Sequence, residues 1–411
     1  MSGWALAVAL AALPTAVAMQ SRAATPILVA GALGLLWAER ARLGALMRSA
    51  LVLWPLGLLA AWGIASAAWS VVPRVSLDGA LRFAVLIGLG ALVAGSVPLL
   101  DAAAQRRAGR GLVLGVALGA AVLLLEVLTG GWLTNAVRLF PEPARSVDGI
   151  KPGASVLAVL LPAAVAVCWR EAGRGGALGL AALGAVAVLA APSEAARLAL
   201  GAAVAGALLT LAPPRAVCRL GPLMLALAVL AGPSVLQAAG EAAARAGVLP
   251  PSGLHRVAIW DFAAARAAER PVLGWGFEAS RAMPGGQARI PAATFDRLAP
   301  PGPTRDALDA MPDAFVQSLP LHPHNGGLQV RLELGMVGLL LAALGAWWIG
   351  RGIVRVTDRV VLAAGAGAAA AGLMVALIAF GIWQAWWVAA LILAATGWRL
   401  AAALCARATP A

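Results

Sequence analysis

His322, His324 and Asn325 stand immediately before an apolar run long enough to cross a bilayer, in the stretch LHPHNGGLQVRLELGMVGLLL (321–341). A neutral imidazole accepts a proton near neutral pH, which suits it to general-base work. An asparagine at the start of a helix caps its first amides, and the amides left exposed favour a negative charge nearby. A proton acceptor and an anion site would therefore stand side by side. His324 is the primary candidate for the base, with His322 and His255 behind it. His322 and His324 also have the spacing of a metal pair, but no Cys, Asp or Glu stands where it would complete a site, and no metal is expected.

Cations suited to an anionic substrate flank this stretch in sequence. Arg197 lies in APSEAARLALG at the mouth of an apolar helix. A charge in a membrane span costs several kcal/mol and normally has a partner or a task. Glu194, three positions earlier, offers a simple pairing. Arg256 opens an amphipathic helix beside His255, and Lys151 starts an apolar helix in DGIKPGAS, where snorkelling to the interface is its plainer role. Arg138, Arg145, Arg266, Arg270 and Arg281 compete for the same anion. The chemistry needs the imidazole and at least two guanidinium groups to face one another over a hollow open to lipid.

The elements that must position these residues are membrane helices. The 411-residue chain is 62% hydrophobic, with a mean hydropathy of +0.88, where soluble domains are about half apolar. About twelve apolar runs read as helices, roughly 3–19, 25–39, 50–69, 79–98, 111–130, 151–169, 176–192, 194–212, 218–238, 325–349, 358–380 and 383–404. The fold class is an all-α polytopic membrane protein. A net charge of +13 would suggest nucleic acid in a soluble protein, but the arginines cluster in short loops between the runs. That is the pattern that sets topology, and no nucleic-acid partner is expected. Three cysteines imply no disulfide framework, and the N-terminus reads as a first helix instead of a signal peptide.

The arginine-rich loops all fall on one side, which puts both termini in the cytoplasm. Residues 1–238 then hold helices 1–9, 239–324 form an extracytoplasmic cap, and 325–411 hold helices 10–12. The cap reads as helical near 239–247, 254–268 and 304–318, with a turn at PVLGWGF (271–277). Gly335 and Gly338 lie one turn apart on the tenth helix.

His324-Asn325, nine further residues and then Gly335-x-x-Gly338 resemble the motif of polytopic O-antigen ligases of Gram-negative bacteria. The stretch from Arg256 through RPVLGWGF to His324, and Arg197 following Ser193, are similar to the wider family as well. The resemblance covers most of the chain in layout but only a few tens of residues in motif. It implies a GT-C-like glycosyltransferase of the bacterial inner membrane, with its active site on the periplasmic face. Such enzymes move an O-antigen glycan from undecaprenyl pyrophosphate to lipid A–core, with inversion and without a metal or other cofactor. The resemblance makes His324 the base and gives arginines the pyrophosphate. Arg197, Arg256 and Lys151 are the candidates, with Asn325, Gly335 and Gly338 as motif residues. Rival readings are an O-antigen polymerase, a protein O-oligosaccharyltransferase and, in a different class, a flippase for a lipid-linked sugar. A transporter is expected to show paired broken helices and repeats, and neither is visible in the sequence.

Overall fold

The computed structural model describes residues 2–139 and 147–407. Sixteen α-helices follow one another. The first nine are α1 (Ser2–Met19), α2 (Ala24–Ala38), α3 (Leu43–Ser49), α4 (Trp54–Ala65), α5 (Pro73–Ser96), α6 (Ala102–Leu128), α7 (Trp132–Arg138), α8 (Lys151–Ala190) and α9 (Glu194–Leu209). Then come α10 (Pro214–Arg245), α11 (Pro251–Glu269), α12 (Ala292–Leu298), α13 (Pro303–Asp309), α14 (Gly326–Ile353), α15 (Arg359–Ile378) and α16 (Ala385–Ala406). The chain is a multi-pass, all-α membrane protein.

Each of the twelve apolar runs lies on a helix, but among the described residues nine segments are long and apolar enough to cross a membrane. Gly3–Met19 is a shorter apolar helix, α9 has 16 residues, and Val147–Ala190 counts as one segment. This last segment contains two helices. Gly173 takes φ 76° and ψ −173°, outside helical geometry. The Leu161 side chain packs on Gly184, and Cys168 Sγ on Gly176. Side chains before Gly173 thus touch glycines at similar distances after it, so the chain doubles back there. The left-handed φ of this tight turn is one that glycine adopts at no steric cost.

Two apolar cores share one helix. The larger fills the membrane bundle and takes in Val330, Leu334 and Leu339 of α14. The smaller gathers Val257, Ile259 and Trp260 of α11 with Phe295, Leu298 and Leu308 from the segment after it, and includes Leu328 and Leu332 of α14. The first turns of α14 therefore belong to the cap and to the bundle at once. The short helix expected near 304–318 is present as α13 but ends at Asp309, because Pro312, in extended backbone, follows where a helix would have to continue; α12 is an additional helix before it. The ninth apolar helix does not stop at 238 but continues as α10 to Arg245, carrying the chain into the cap.

Also unforeseen is a break in α14. Gly335 takes φ 66° and ψ −163°, so Gly335 and Gly338 do not lie on one continuous helix. The helical ladder is interrupted because the 271–276 loop supplies the missing partners. Trp275 N–H donates to Leu332 O at 3.0 Å, Gly276 N–H to Glu333 O at 2.7 Å, and Met336 N–H to Pro271 O at 2.9 Å. A Cβ on Gly335 would stand 2.1 Å from Val272 O. The break in α14 corrects the expectation of one continuous tenth helix, while the turn at Gly173 falls between the two runs expected at 151–169 and 176–192. In α14 the 271–276 loop satisfies the interrupted backbone, as hydrocarbon requires.

Candidate active site

The end of α15 organises the site. Its last turn leaves carbonyls with no intrahelical partner, at the negative end of the helix dipole. Two of them are used in succession. Arg256 Nη1 donates to Ile378 O at 3.3 Å, and His324 Nδ1 bonds Ala379 O at 2.7 Å. A carbonyl can only accept, so Nδ1 carries the proton. The neutral ring then presents a lone pair at Nε2, the form a general base needs.

The backbone around His324 is tightly held. Its φ is 54°, an uncommon value for a side-chain-bearing residue and one that surrounding contacts must maintain. Trp260 Nε1 donates to Pro323 O at 2.8 Å, so cap helix α11 grips the His-Pro-His segment. His324 N–H donates to His322 Nδ1 at 3.2 Å, and the two rings lie 4.3 Å apart between centroids. Burial first, then the charge of Arg256, holds the His324 imidazole down at about 4, against a raising effect from the Ala379 carbonyl. Burial, then His324, Arg281 and Arg256, takes His322 down to about 3. His255 is lowered too, chiefly by burial, and its Nε2 bonds Gln317 O at 3.1 Å. All three histidines are neutral at pH 7, and the two rings of the motif meet a cationic neighbourhood.

Asn325 caps α14, its Oδ1 accepting from Leu328 N–H at 3.1 Å. Its Nδ2 is buried and without a partner. Beside the base, a buried amide donor is thus left for something the chain itself does not supply.

The remaining candidates reach the same end of the bundle without touching His324. Gly206 of α9 packs on Ala366 O, and Gly367 on Ala203 O; that antiparallel register runs the start of α9 toward the end of α15. Gly367 meets Pro162 and Gly372 meets Val159 in the same sense, which takes the start of α8 there as well. Arg197 donates to Leu189 O at 3.1 Å, Ala191 O at 3.0 Å and Glu194 Oε1 at 2.8 Å. In this arrangement it clamps the α8–α9 hairpin, with two of its five N–H donors unused. Lys151 Nζ pairs with Asp148 at 2.9 Å. Among the competitors, Arg138 is committed to Met19 O and Gly149 O and Arg266 to Glu269. Arg270 lies over Trp275, 4.1 Å from its centroid. Arg145 falls outside the described residues. Arg256 alone of the three chosen cations stands beside the base, and Arg281 acts on His322.

A second layer went unrecognised in the sequence. Glu333 is fully buried on α14 and accepts from Ser280 Oγ (2.5 Å), Glu278 N–H (2.7 Å), Trp383 Nε1 (2.6 Å) and Gln329 Nε2 (3.1 Å). Gln329 Oε1 in turn accepts from Ile382 N–H at 3.0 Å. Residues 379–383, whose first carbonyl holds His324, are thereby fastened to α14, and the cap loop is fastened at the same point. Glu333→Gln keeps the shape but turns an N–H₂ toward at least one of these donors. A buried donor left unpaired costs about 1–3 kcal/mol. The expected outcome is a lowered melting temperature in detergent with a parallel loss of activity, checked by thermal unfolding and assay together. An unchanged melting temperature would refute the fastening role.

Residues 179–343 match the family model described as O-antigen ligase. A Rickettsia conorii protein named "putative polysaccharide ligase" is 29% identical over 138 residues, 34% of this chain and 29% of its own. Its counterpart in Rickettsia prowazekii is 31% identical over 138 residues, 34% of this chain and 30% of its own. The matched stretch thus spans under a third of the length of these relatives.

Proposed function

We propose, from the match of residues 179–343 to the O-antigen ligase family model, that this chain transfers a preassembled glycan from a lipid pyrophosphate to a sugar hydroxyl. The donor is undecaprenyl-pyrophosphate-linked O-antigen and the acceptor lipid A–core. The reaction takes place at the periplasmic face of the inner membrane, on a GT-C-like scaffold with the 239–324 segment as its cap. The observation that carries this reading is the pairing of His324 and Arg256 on the adjacent carbonyls of Ala379 and Ile378.

His324 Nε2 takes the proton from the acceptor hydroxyl as that oxygen attacks the anomeric carbon. The bond from that carbon to the pyrophosphate oxygen breaks, and a single in-line displacement inverts the centre. Negative charge grows on the departing diphosphate, and a positioned guanidinium aimed at it lowers the barrier. Arg256 takes that place. Arg197 and Lys151, at the same end of the bundle, hold the rest of the diphosphate only if the donor draws them from their present partners. Asn325 Nδ2 supplies a hydrogen bond to a substrate oxygen. Arrival of the diphosphate also offsets the positive field of Arg256, which strengthens His324 as a base once the donor is bound.

A strain of the Gram-negative host lacking this chain is expected to make core-only lipopolysaccharide while polymerised, lipid-linked O-antigen accumulates. Loss of polymer length alone would mean a polymerase. Loss of extracytoplasmic lipid-linked glycan would mean a flippase. Unglycosylated protein with normal lipopolysaccharide would mean a protein O-oligosaccharyltransferase.

A further inference from the structure

An apolar cavity of about 500 Å³, within the roughly 300–1,000 Å³ of ligand sites, runs along α15 from Ala376, near the His324 end, toward the other end. Small residues open it: Gly365, Ala368, Ala369, Gly372 and Ala376 line it along α15. That run of α15 rises about 16 Å at 1.5 Å per residue, close to the roughly 15 Å of hydrocarbon in one leaflet. Trp348 and Trp398 also line it. Their indole N–H groups are occupied by Val52 O and Val361 O, so what they offer a ligand is ring surface.

Arg351, Arg355 and Arg399 line the same cavity, and all three sit at the end opposite His324. Among the described residues none of them has a carboxylate partner, and the nearby Asp358 is taken by Arg170. Arg351 rests on the Trp347 ring. Arg399 Nε is buried with no hydrogen-bond partner. Three guanidinium groups at the edge of hydrocarbon call for an anion, and phosphate matches their fork geometry.

We infer that this cavity binds one anionic glycerophospholipid from the leaflet opposite the transfer site, its acyl chain along α15 and its phosphate on Arg351, Arg355 and Arg399. The isoprenoid tail of a glycan donor fits less well. Its pyrophosphate belongs at the His324 end, so its tail would bring an apolar terminus to three arginines.

The test is native mass spectrometry of the full chain in neutral detergent, titrated with phosphatidylglycerol or phosphatidylcholine of identical acyl chains. One phosphatidylglycerol is expected to bind saturably, at least tenfold tighter than phosphatidylcholine, and more weakly as salt rises. Arg355→Gln with Arg399→Gln should weaken it by about fivefold per arginine. Ala369→Phe, which fills the cavity and spares the arginines, should abolish the single-lipid adduct. Equal retention of both lipids by the native chain, or binding indifferent to salt, overturns the inference even where a variant does not fold. So does an unchanged adduct in Ala369→Phe, or stoichiometric displacement of phosphatidylglycerol by a polyprenyl phosphate.

Discussion

Replacing His324 with alanine is expected to cut glycan transfer by about 10²–10⁴-fold, the usual contribution of a positioned general base, while the protein still inserts and folds. The ring makes one hydrogen bond, to Ala379 O, and the segment stays gripped through Trp260 and Pro323, so its loss removes chemistry more than structure. The pH dependence is more telling than the loss. A base works only while unprotonated, and burial holds this one down at about 4, so kcat/KM should stay level from neutral pH to about pH 5.5 and fall as pH drops through 4. An ordinary histidine would fail near its usual value of about 6.5. The kcat profile, which reports the donor-bound enzyme, should break at a higher pH than kcat/KM, because the bound diphosphate offsets Arg256. Coincident profiles, or an inflection near 6.5 in kcat/KM, would contradict the arrangement. So would full transfer by His324→Ala, measured with purified lipid-linked donor.

The parts of this site that the sequence displayed are those written in side chains of uncommon type. Histidine is expensive in hydrocarbon, so three of them near one helix mouth drew notice, as did Asn325 at a capping position. The all-α class and the position of each apolar helix followed from hydropathy, which long apolar runs express strongly; the count did not, since among the described residues nine segments, not twelve, are long and apolar enough to cross a membrane. What stayed hidden was written in backbone. Ile378 O and Ala379 O, which align Arg256 and His324, leave no trace in residue identity. Glu333 passed as one charge in LQVRLEL, although a carboxylate that far into an apolar run must find donors. Those donors come from 278–280, 329 and 383, and only the fold assembles them. Arg197 shows the opposite case. Its position suggested a ligand, while the two hairpin carbonyls that occupy it could not be foreseen; only its pairing with Glu194 was visible as an alternative.

The break in α14 makes the strongest structural prediction. Gly335→Ala is expected to undock the cap and abolish transfer. Two penalties combine. The left-handed φ of 66° disfavours any side chain, by roughly 1–2 kcal/mol. The new methyl would also stand 2.1 Å from Val272 O and 2.7 Å from Gly274 N, both backbone atoms that cannot swing aside as a side chain would. The loop must retreat, and with it go the hydrogen bonds from Met336 to Pro271 and from Gly276 to Glu333. Glu278 and Ser280, just beyond, then lose their register on the Glu333 carboxylate. Limited proteolysis should cut the 239–324 segment at protease concentrations that spare the native chain. Gly352→Ala on the same helix, where a Cβ meets nothing within 4 Å, should leave proteolysis and transfer near native levels. Equal behaviour of the two variants would mean that the cap is not held by the break in α14, and the route from Glu333 through residues 379–383 to the base would lose its anchor.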